Sequence, residues 1–256
     1  FISNIFILMD LNMNILGIRI DKLNKQQALE KVANFLNSDK QNKIFTPNPE
    51  MLVDARKDSY FKKILNSGDL NICDGFGITL VTRGKLKRIP GVDFMQDICK
   101  LAEEKGKSIY LLGSSSDEVV KKVSEVLQKK FPLLRIVGHD KGPISKQETV
   151  NKQQKDNEDV IYDIIVKAPD ILFVAFGHGK QEKWIHENLV DLPSVKIAMG
   201  VGGSFDFISG KTKRAPEWMR RIGFEWLYRL IREPKRFFRI WKAIITFLFL
   251  VAIRQN

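Results

Sequence analysis

The tightest constraint on this chain is an alternation. Short apolar runs end in loops rich in Gly, Pro, Asn or Asp, and amphipathic stretches follow them. Lys43-Ile44-Phe45 leads into Thr46-Pro47-Asn48-Pro49-Glu50, and Leu70 to Cys73 leads into Asp74-Gly75-Phe76-Gly77. Ile171 to Ala175 leads into Phe176-Gly177-His178-Gly179-Lys180-Gln181-Glu182, and Val195 to Met199 into Gly200-Val201-Gly202-Gly203-Ser204-Phe205-Asp206. Strands alternating with helices define an α/β fold with a Rossmann-like, mainly parallel sheet and helices on both faces. In such folds ligands bind where strand ends and helix N-termini converge. The four loops are therefore expected to share one rim, with Asp74 as its reactive carboxylate.

The remaining elements follow the same logic. Asn14 to Ile20 has the pattern of a first strand, and Ala28, Leu29, Val32, Ala33 and Leu36 repeat at helical spacing within Asn24 to Asn37. Pro47 and Pro49 hold their loop extended, and Met51 to Leu65 returns to helix. Phe76 to Thr82 starts a helix, Gly84 to Gly91 is basic and irregular, and Val92 to Lys105 is helical. Ser108 to Leu112 and Arg135 to Val137 are strands around an amphipathic helix ending at Lys130. The turn Gly113-Ser114-Ser115-Ser116 between them lacks a full G-x-G-x-x-G fingerprint. Ser145 to Asp159 is a polar run, a solvated helix or loop, after which Ile161 to Val166 resumes a helical face.

Charge divides the chain unevenly. The formal net charge is +12, and from Lys211 onward twelve Lys and Arg stand against three Glu. Residues 1–209 are therefore expected to form an α/β core and residues 210–256 a basic, amphipathic helical appendage. A basic segment points to an anionic partner. Pro216 suits the start of a helix, and Pro234 breaks the next. Lys235 to Ile253 joins Arg236, Arg239 and Lys242 to Phe237, Phe238 and Trp241, then to the uncharged run Ala243 to Ile253. That run is shorter than the roughly 20 residues a span requires, so the segment is expected to lie on an anionic membrane surface; packing on the core as an ordinary C-terminal helix is the alternative. Phe1 to Met9 is apolar but has no basic n-region, which argues against a signal peptide. Two cysteines, Cys73 and Cys99, and three histidines supply neither a disulfide framework nor a zinc spacing; reduced thiols in a cytoplasmic protein are expected.

A strand-end Asp such as Asp74 can serve as general base, metal ligand, ribose ligand or helix cap. Gly75 and Gly77 allow close backbone approach by a ligand, and Arg83 and Arg88 follow. A carboxylate able to take a proton from a sugar hydroxyl is what an inverting group transfer needs. The chain has no Asp-x-Asp, so charge on a diphosphate leaving group would fall to arginines, backbone N–H groups and helix N-termini, for which Gly202, Gly203 and Arg214 are suited; Gly202-Gly203 also fits a plain tight turn. Gln181, opening a helix after a Gly-rich turn, can read a nucleotide base or sugar amide, or simply start a surface helix.

Taken together, Thr46-Pro47-Asn48-Pro49-Glu50, Asp74-Gly75-x-Gly77, Arg88-x-x-Gly91-x-Asp93, Asp170 to Val174, Gly177-x-x-x-Gln181-Glu182-x-Trp184, Gly200-Val201-Gly202-Gly203-x-Phe205-Asp206, Arg214-Ala215-Pro216 and Gly223-x-Glu225-Trp226-x-x-Arg229 resemble the WecG/TagA/CpsF family of bacterial glycosyltransferases. The motifs run in family order across nearly the whole chain. The resemblance implies a peripheral enzyme on the cytoplasmic face of the membrane that moves a sugar from a UDP-sugar to an undecaprenyl-diphosphate-linked sugar, with inversion and without an essential metal or other cofactor. In the teichoic-acid branch that sugar is N-acetylmannosamine and the acceptor GlcNAc-diphospho-undecaprenol, joined β-1,4. Another UDP-sugar donor within the family is the alternative. By the same resemblance Asp74 is the base, Thr46 and Asn48 flank a sugar, and Gln181 holds the donor. Arg88, Gly202, Gly203 and Asp206 join the substrate-binding set, and Arg214, Arg221 and Arg229 neutralise diphosphate. The chain departs from the usual family pattern at Gly179, often Pro, and at Pro90, usually a small or hydroxylated residue.

Two other classes compete. A dinucleotide-dependent oxidoreductase predicts the complete Gly fingerprint, which Ser114 to Ser116 do not supply. A nucleic-acid-binding module would leave the run Ala243 to Ile253 unexplained, so nucleic acid is not expected as a partner. The apolar faces leave room for a homo-oligomer.

Overall fold

A computed structural model describes residues 12–114, 116–142, 150–221, 225, 227–228 and 237–254. The segment Phe1 to Met9, the start of the polar run at Ser145, and Pro234 lie outside the described residues. The chain opens with β1 (Asn12–Ile15) and β2 (Ile18–Asp21), then α1 (Lys25–Leu36), β3 (Asn42–Phe45), α2 (Pro49–Ala55), α3 (Ser59–Asn66) and β4 (Leu70–Asn71). It continues through α4 (Phe76–Val81), α5 (Gly91–Glu104), β5 (Ser108–Leu112), α6 (Asp117–Lys130), β6 (Arg135–Asp140), α7 (Val150–Lys167), β7 (Ile171–Val174), α8 (Lys180–Asn188), β8 (Ile197–Gly200), α9 (Ser204–Ile208) and α10 (Glu217–Arg221) to the C-terminal helix Phe237–Arg254.

β3 to β8 form one six-stranded sheet in the order β4-β3-β8-β7-β5-β6, and every neighbouring pair is parallel. Successive side chains of a strand point to opposite faces, and here both faces are buried. In β7, Ile171 and Phe173 enter one core while Leu172 and Val174 enter the other; in β5, Ile109 and Leu111 oppose Tyr110 and Leu112. α1, α5, α6 and α9 cover the first face, and the β1–β2 hairpin, α2, α3, α7 and α8 cover the second. β3 and β8 are neighbours, yet α2 after β3 and α9 after β8 go to opposite faces. Their connecting loops must diverge, which opens a crevice at the carboxyl edge of the sheet.

Local chemistry explains two departures from the sequence pattern. Asn14 to Ile20 is not one strand but an antiparallel hairpin outside the main sheet, turned at Leu16 (φ 52) and Gly17 (φ 87). Two positive φ values match a tight hairpin turn, closed by Gly17 N–H donating to Asn14 Oδ1 at 2.8 Å. Met51 to Leu65 is two helices, because Asp58 leaves the helical conformation and its side chain caps α3 by accepting from Phe61 N–H. The polar run before Ile161, expected as a solvated helix or loop, is helical from Val150 onward and continuous with the helical face after it.

The C-terminal helix packs against α2 and α4. Phe247 is fully buried in the second core, with Leu250 and Val251 at its margin. On other sides of the same helix Trp241, Ile245, Leu248, Phe249 and Ile253 are exposed. Among the described residues no helix is long and apolar enough to cross a membrane.

Two outcomes test this packing. Phe247→Ala should cost up to about 3–5 kcal/mol, the usual range for a fully buried Phe, and release the C-terminal helix. Limited trypsinolysis should then cut the segment sooner than in the parent; unchanged cleavage would mean that Phe247 is not its anchor. The second concerns Asp170, whose carboxylate accepts from Ser108 N–H (2.8 Å), Ser108 Oγ (2.9 Å) and Lys107 Nζ (3.1 Å), tying β7 to β5. Partial burial works to raise its pKa, but these hydrogen bonds outweigh that and hold the carboxyl below the usual range. A depressed folded-state pKa contributes stability that is complete above the unfolded value of about 3.9 and lost as pH falls through the folded value. Asp170→Asn should therefore flatten the fall in melting temperature below about pH 4, where this linkage acts.

Candidate active site

The site grows from two adjacent strand ends. Beyond β3 and β4 the backbones stay paired, with Ile72 N–H donating to Phe45 O at 3.0 Å and Asp74 N–H to Pro47 O at 3.2 Å. This sets Asp74 beside the Thr46-Pro47-Asn48 loop. Gly75 is needed there for space: a Cβ would lie 2.4 Å from Pro49 Cδ. Gly75 is also the cap residue of α4 and makes no side-chain cap bond to that helix. Asn48 does cap one. Its Oδ1 accepts from Met51 N–H at 3.1 Å, and Pro49 follows at the start of α2.

Gly91, at the start of α5, closes over the pair. A Cβ on Gly91 would stand 3.3 Å from Asp74 Oδ2 and 3.4 Å from Thr46 Cγ2, so the Asp74 carboxylate and the buried Thr46 side chain share one small space. The Asp74 side chain is 31 % exposed, open enough to meet a ligand. Arg88 lies against it: Nε donates to the Asp74 carbonyl at 3.1 Å, while Nη2 stays 3.9 Å from Asp74 Oδ1.

The arginines lead to the C-terminal segment. Arg88 Nη2 and Arg214 Nε both donate to Glu225, each at 3.1 Å, and Arg214 reaches the two carboxylate oxygens of Asp93 with its remaining nitrogens. Burial works against charge on Arg214, but Asp93 and Glu225 outweigh it and raise its pKa above the ordinary value. The guanidinium expected to meet diphosphate is thus held by two carboxylates in this structure. Arg221 ends α10, with its side chain outside what is described, and Arg229 lies outside the described residues.

A second cluster occupies the loops after β7 and β8. Gln181 is buried, donating from Nε2 to Glu182 Oε1 at 2.7 Å and accepting from Gly202 N–H on Oε1 at 2.8 Å. Glu182 is fully buried and also accepts from Gly179 N–H at 2.7 Å. Burial pushes its pKa up, against the pull of these hydrogen bonds. A Cβ on Gly200 would come 2.7 Å from Gln181 Nε2 and 3.2 Å from its Cγ, so glycine there leaves the Gln181 side chain in place. Gln181 therefore laces the two Gly-rich loops together. Gly203 caps α9, and Asp206 in its first turn sits 3.9 Å from Lys211 Nζ.

The structure thus brings Thr46, Asp74, Arg88 and Arg214 into one connected set and Gln181, Gly202 and Gly203 into another, with Asn48 bordering the first and Asp206 the second. Sequence reasoning missed Glu225 and Asp93 as the partners that organise the arginines. Their signal was present as acids inside the Arg88-x-x-Gly91-x-Asp93 and Glu225-Trp226 motifs. It also missed a separate cavity of about 540 Å³ between α2 and α8, lined by Glu50, Asp54, Phe61, His178, Lys180 and Lys183 among others. There His178 Nε2 is 2.9 Å from Asp54 Oδ2. None of the expected site residues lines it. Among the described residues no group of three or more His, Cys, Asp and Glu is arranged to hold a metal ion.

This fold and rim define an α/β enzyme with a partly exposed carboxylate, a hydroxyl and a cation at one strand edge, a set able to accept a proton from a ligand hydroxyl. The profile of the glycosyl transferase WecG/TagA/CpsF family matches residues 13–256, and the chain belongs to that family. It is 36% identical over 208 residues to the N-acetylglucosaminyldiphosphoundecaprenol N-acetyl-beta-D-mannosaminyltransferase of Bacillus subtilis (strain 168), covering 79% of this chain and 75% of that one. It is 31% identical over 249 residues to the protein of the same name from Staphylococcus aureus (strain MW2), covering 94% and 92%.

Cys73 adjoins the catalytic candidate but is no nucleophile. Burial, above all, pushes its thiol up to about 11, and burial raises Cys99 as well. Neither should react with iodoacetamide near neutral pH in the folded protein, and both should react in denaturant. Rapid labelling of Cys73 in the native state, read by peptide mass, would contradict the burial at the rim.

Proposed function

We propose that this chain is an inverting glycosyltransferase that moves N-acetylmannosamine from UDP-N-acetylmannosamine to the GlcNAc of GlcNAc-diphospho-undecaprenol, forming a β-1,4 linkage in teichoic-acid linkage-unit synthesis. The observation that carries this reading is the Asp74 carboxylate, partly exposed between Thr46 and Gly91 with Arg88 alongside, in a chain similar over most of its length to relatives that carry that name.

Asp74 takes the proton from the acceptor hydroxyl as that oxygen attacks the anomeric carbon. The new C–O bond forms on the face opposite the departing UDP, the old C–O bond breaks with its electron pair going to the diphosphate, and the centre inverts. Thr46 borders the reacting sugars, and Asn48 holds the loop that bears Thr46 by capping α2. Gln181 acts on the donor side by fixing the loop of Gly202 and Gly203, with Asp206 behind it. Arg221 and Arg229 are the candidates for diphosphate charge, whereas Arg88 and Arg214 serve through their carboxylate partners. No metal is assigned to the reaction, and an EDTA arm tests that.

The acceptor's lipid would bring the enzyme to the cytoplasmic membrane surface. The stripe Trp241, Ile245, Leu248, Phe249 and Ile253, exposed on a helix anchored through Phe247, supports peripheral contact with headgroups and upper acyl chains.

The test is UDP release with GlcNAc-diphospho-lipid and a panel of UDP-sugars, with and without EDTA. UDP-N-acetylmannosamine should be the productive donor. Asp74→Asn should lower kcat by about 10²–10⁴, the usual contribution of a general base, while circular dichroism and UDP binding stay unchanged. Near-normal turnover by that variant would remove the base role, and turnover with a different UDP-sugar alone would move the chain to another branch.

A further inference from the structure

We propose that Glu225 is a positioning residue of the transfer site. Its buried carboxylate joins Arg88 and Arg214 into one unit, and so fixes both the guanidinium beside Asp74 and the C-terminal segment that lies on the rim.

Glu225 is only 6 % exposed. A carboxylate that deep is tolerated only when paired, and here each oxygen takes one arginine: Oε2 accepts from Arg88 Nη2 and Oε1 from Arg214 Nε, both at 3.1 Å. Arg214 is anchored in turn by Asp93 in the first turn of α5. Arg88 donates its other nitrogens to backbone, Nε to Asp74 O at 3.1 Å and Nη1 to Arg220 O at 3.4 Å. The chain of contacts Asp74–Arg88–Glu225–Arg214–Asp93 thus crosses twice between the core and the segment containing Arg214, Arg220 and Glu225.

The geometry at Asp74 explains what the unit does. Arg88 Nη2 is hydrogen-bonded to Glu225 but 3.9 Å from Asp74 Oδ1, beyond hydrogen-bond range. Glu225 holds the cation near the Asp74 carboxylate without letting the two close. Removing the Glu225 charge leaves Asp74, already in ion-pair range of that nitrogen, about an ångström short of a hydrogen bond to it. A charge-assisted hydrogen bond there would turn Asp74 toward Arg88 and away from an acceptor hydroxyl. Loss of Glu225 would also remove one of the two carboxylates that hold Arg214, and so loosen the segment of Arg214 and Arg220 on the rim.

The inference about catalysis rests on the base role proposed for Asp74; the docking does not. The experiment uses the full chain with Glu225→Gln, which keeps shape and loses charge, and measures steady-state kinetics and backbone hydrogen exchange together. Glu225→Gln should lower kcat at least tenfold, leave KM for UDP-N-acetylmannosamine within about twofold, and speed exchange both around Arg88 and in residues 214–221. Arg214→Lys, which keeps the charge but cannot serve both carboxylates, should speed exchange in the same two places, and it stands in if Glu225→Gln does not fold. Unchanged exchange at either place overturns the proposal. Faster exchange with normal kcat overturns the positioning role, and a raised KM with normal kcat makes Glu225 part of binding alone. If the parent chain transfers no sugar from any donor, the proposed reaction fails, and exchange alone decides whether Glu225 docks the segment.

Discussion

Burial of the central sheet on both faces governs the rest of this molecule. When strands such as Ile171–Val174 send alternate side chains into two separate cores, no polar group can project from the middle of the sheet without losing its water. Chemistry is displaced to the strand ends, where backbone N–H and C=O groups need new partners and loops can supply them. The strand order then selects which ends matter. β4, β3, β8 and β7 stand side by side, so their four loops form one continuous edge, and the divergence of α2 and α9 opens it.

Along that edge the loops are locked rather than loose. Gln181 and Glu182 bind the two Gly-rich loops to each other, and the backbone pairing of Asp74 with Pro47 binds the other two. The glycines at Gly75, Gly91 and Gly200 sit where a side chain would strike a neighbour, which is why so many small residues gather here. Asp74 is the acid this scaffold leaves partly exposed beside a hydroxyl and a cation.

The C-terminal segment extends this scheme beyond the sheet. It meets the body at two places of different chemistry, an apolar one at Phe247 and an ionic one at Glu225. Dispersion and burial hold the first, and the second depends on charges that are largely shielded from solvent. A segment held in this mixed way can present an exposed apolar stripe on one side while keeping Arg214 and Glu225 on the edge that bears Asp74.

Much of this was legible beforehand. Periodicity and breaker residues are local signals, so the parallel sheet, its helices and the loops bearing Asp74, Thr46 and Gln181 could be read from the chain itself. The hairpin at Leu16-Gly17 was not legible, because a tight turn inside an apolar run leaves the alternation intact. Nor was the break at Asp58, where a single cap outweighs helical spacing. Partner choice was hidden more deeply. Arg88 and Glu225 are 137 residues apart, and nothing local says that an arginine expected in the substrate-binding set will instead grip a buried carboxylate. Sequence by itself determined most of the secondary structure, the rim and its residue types, because these follow from spacing and propensity. Only the tertiary structure decided which donors are spent on the protein and which are left for a ligand, because hydrogen-bond pairing between distant segments is settled by packing.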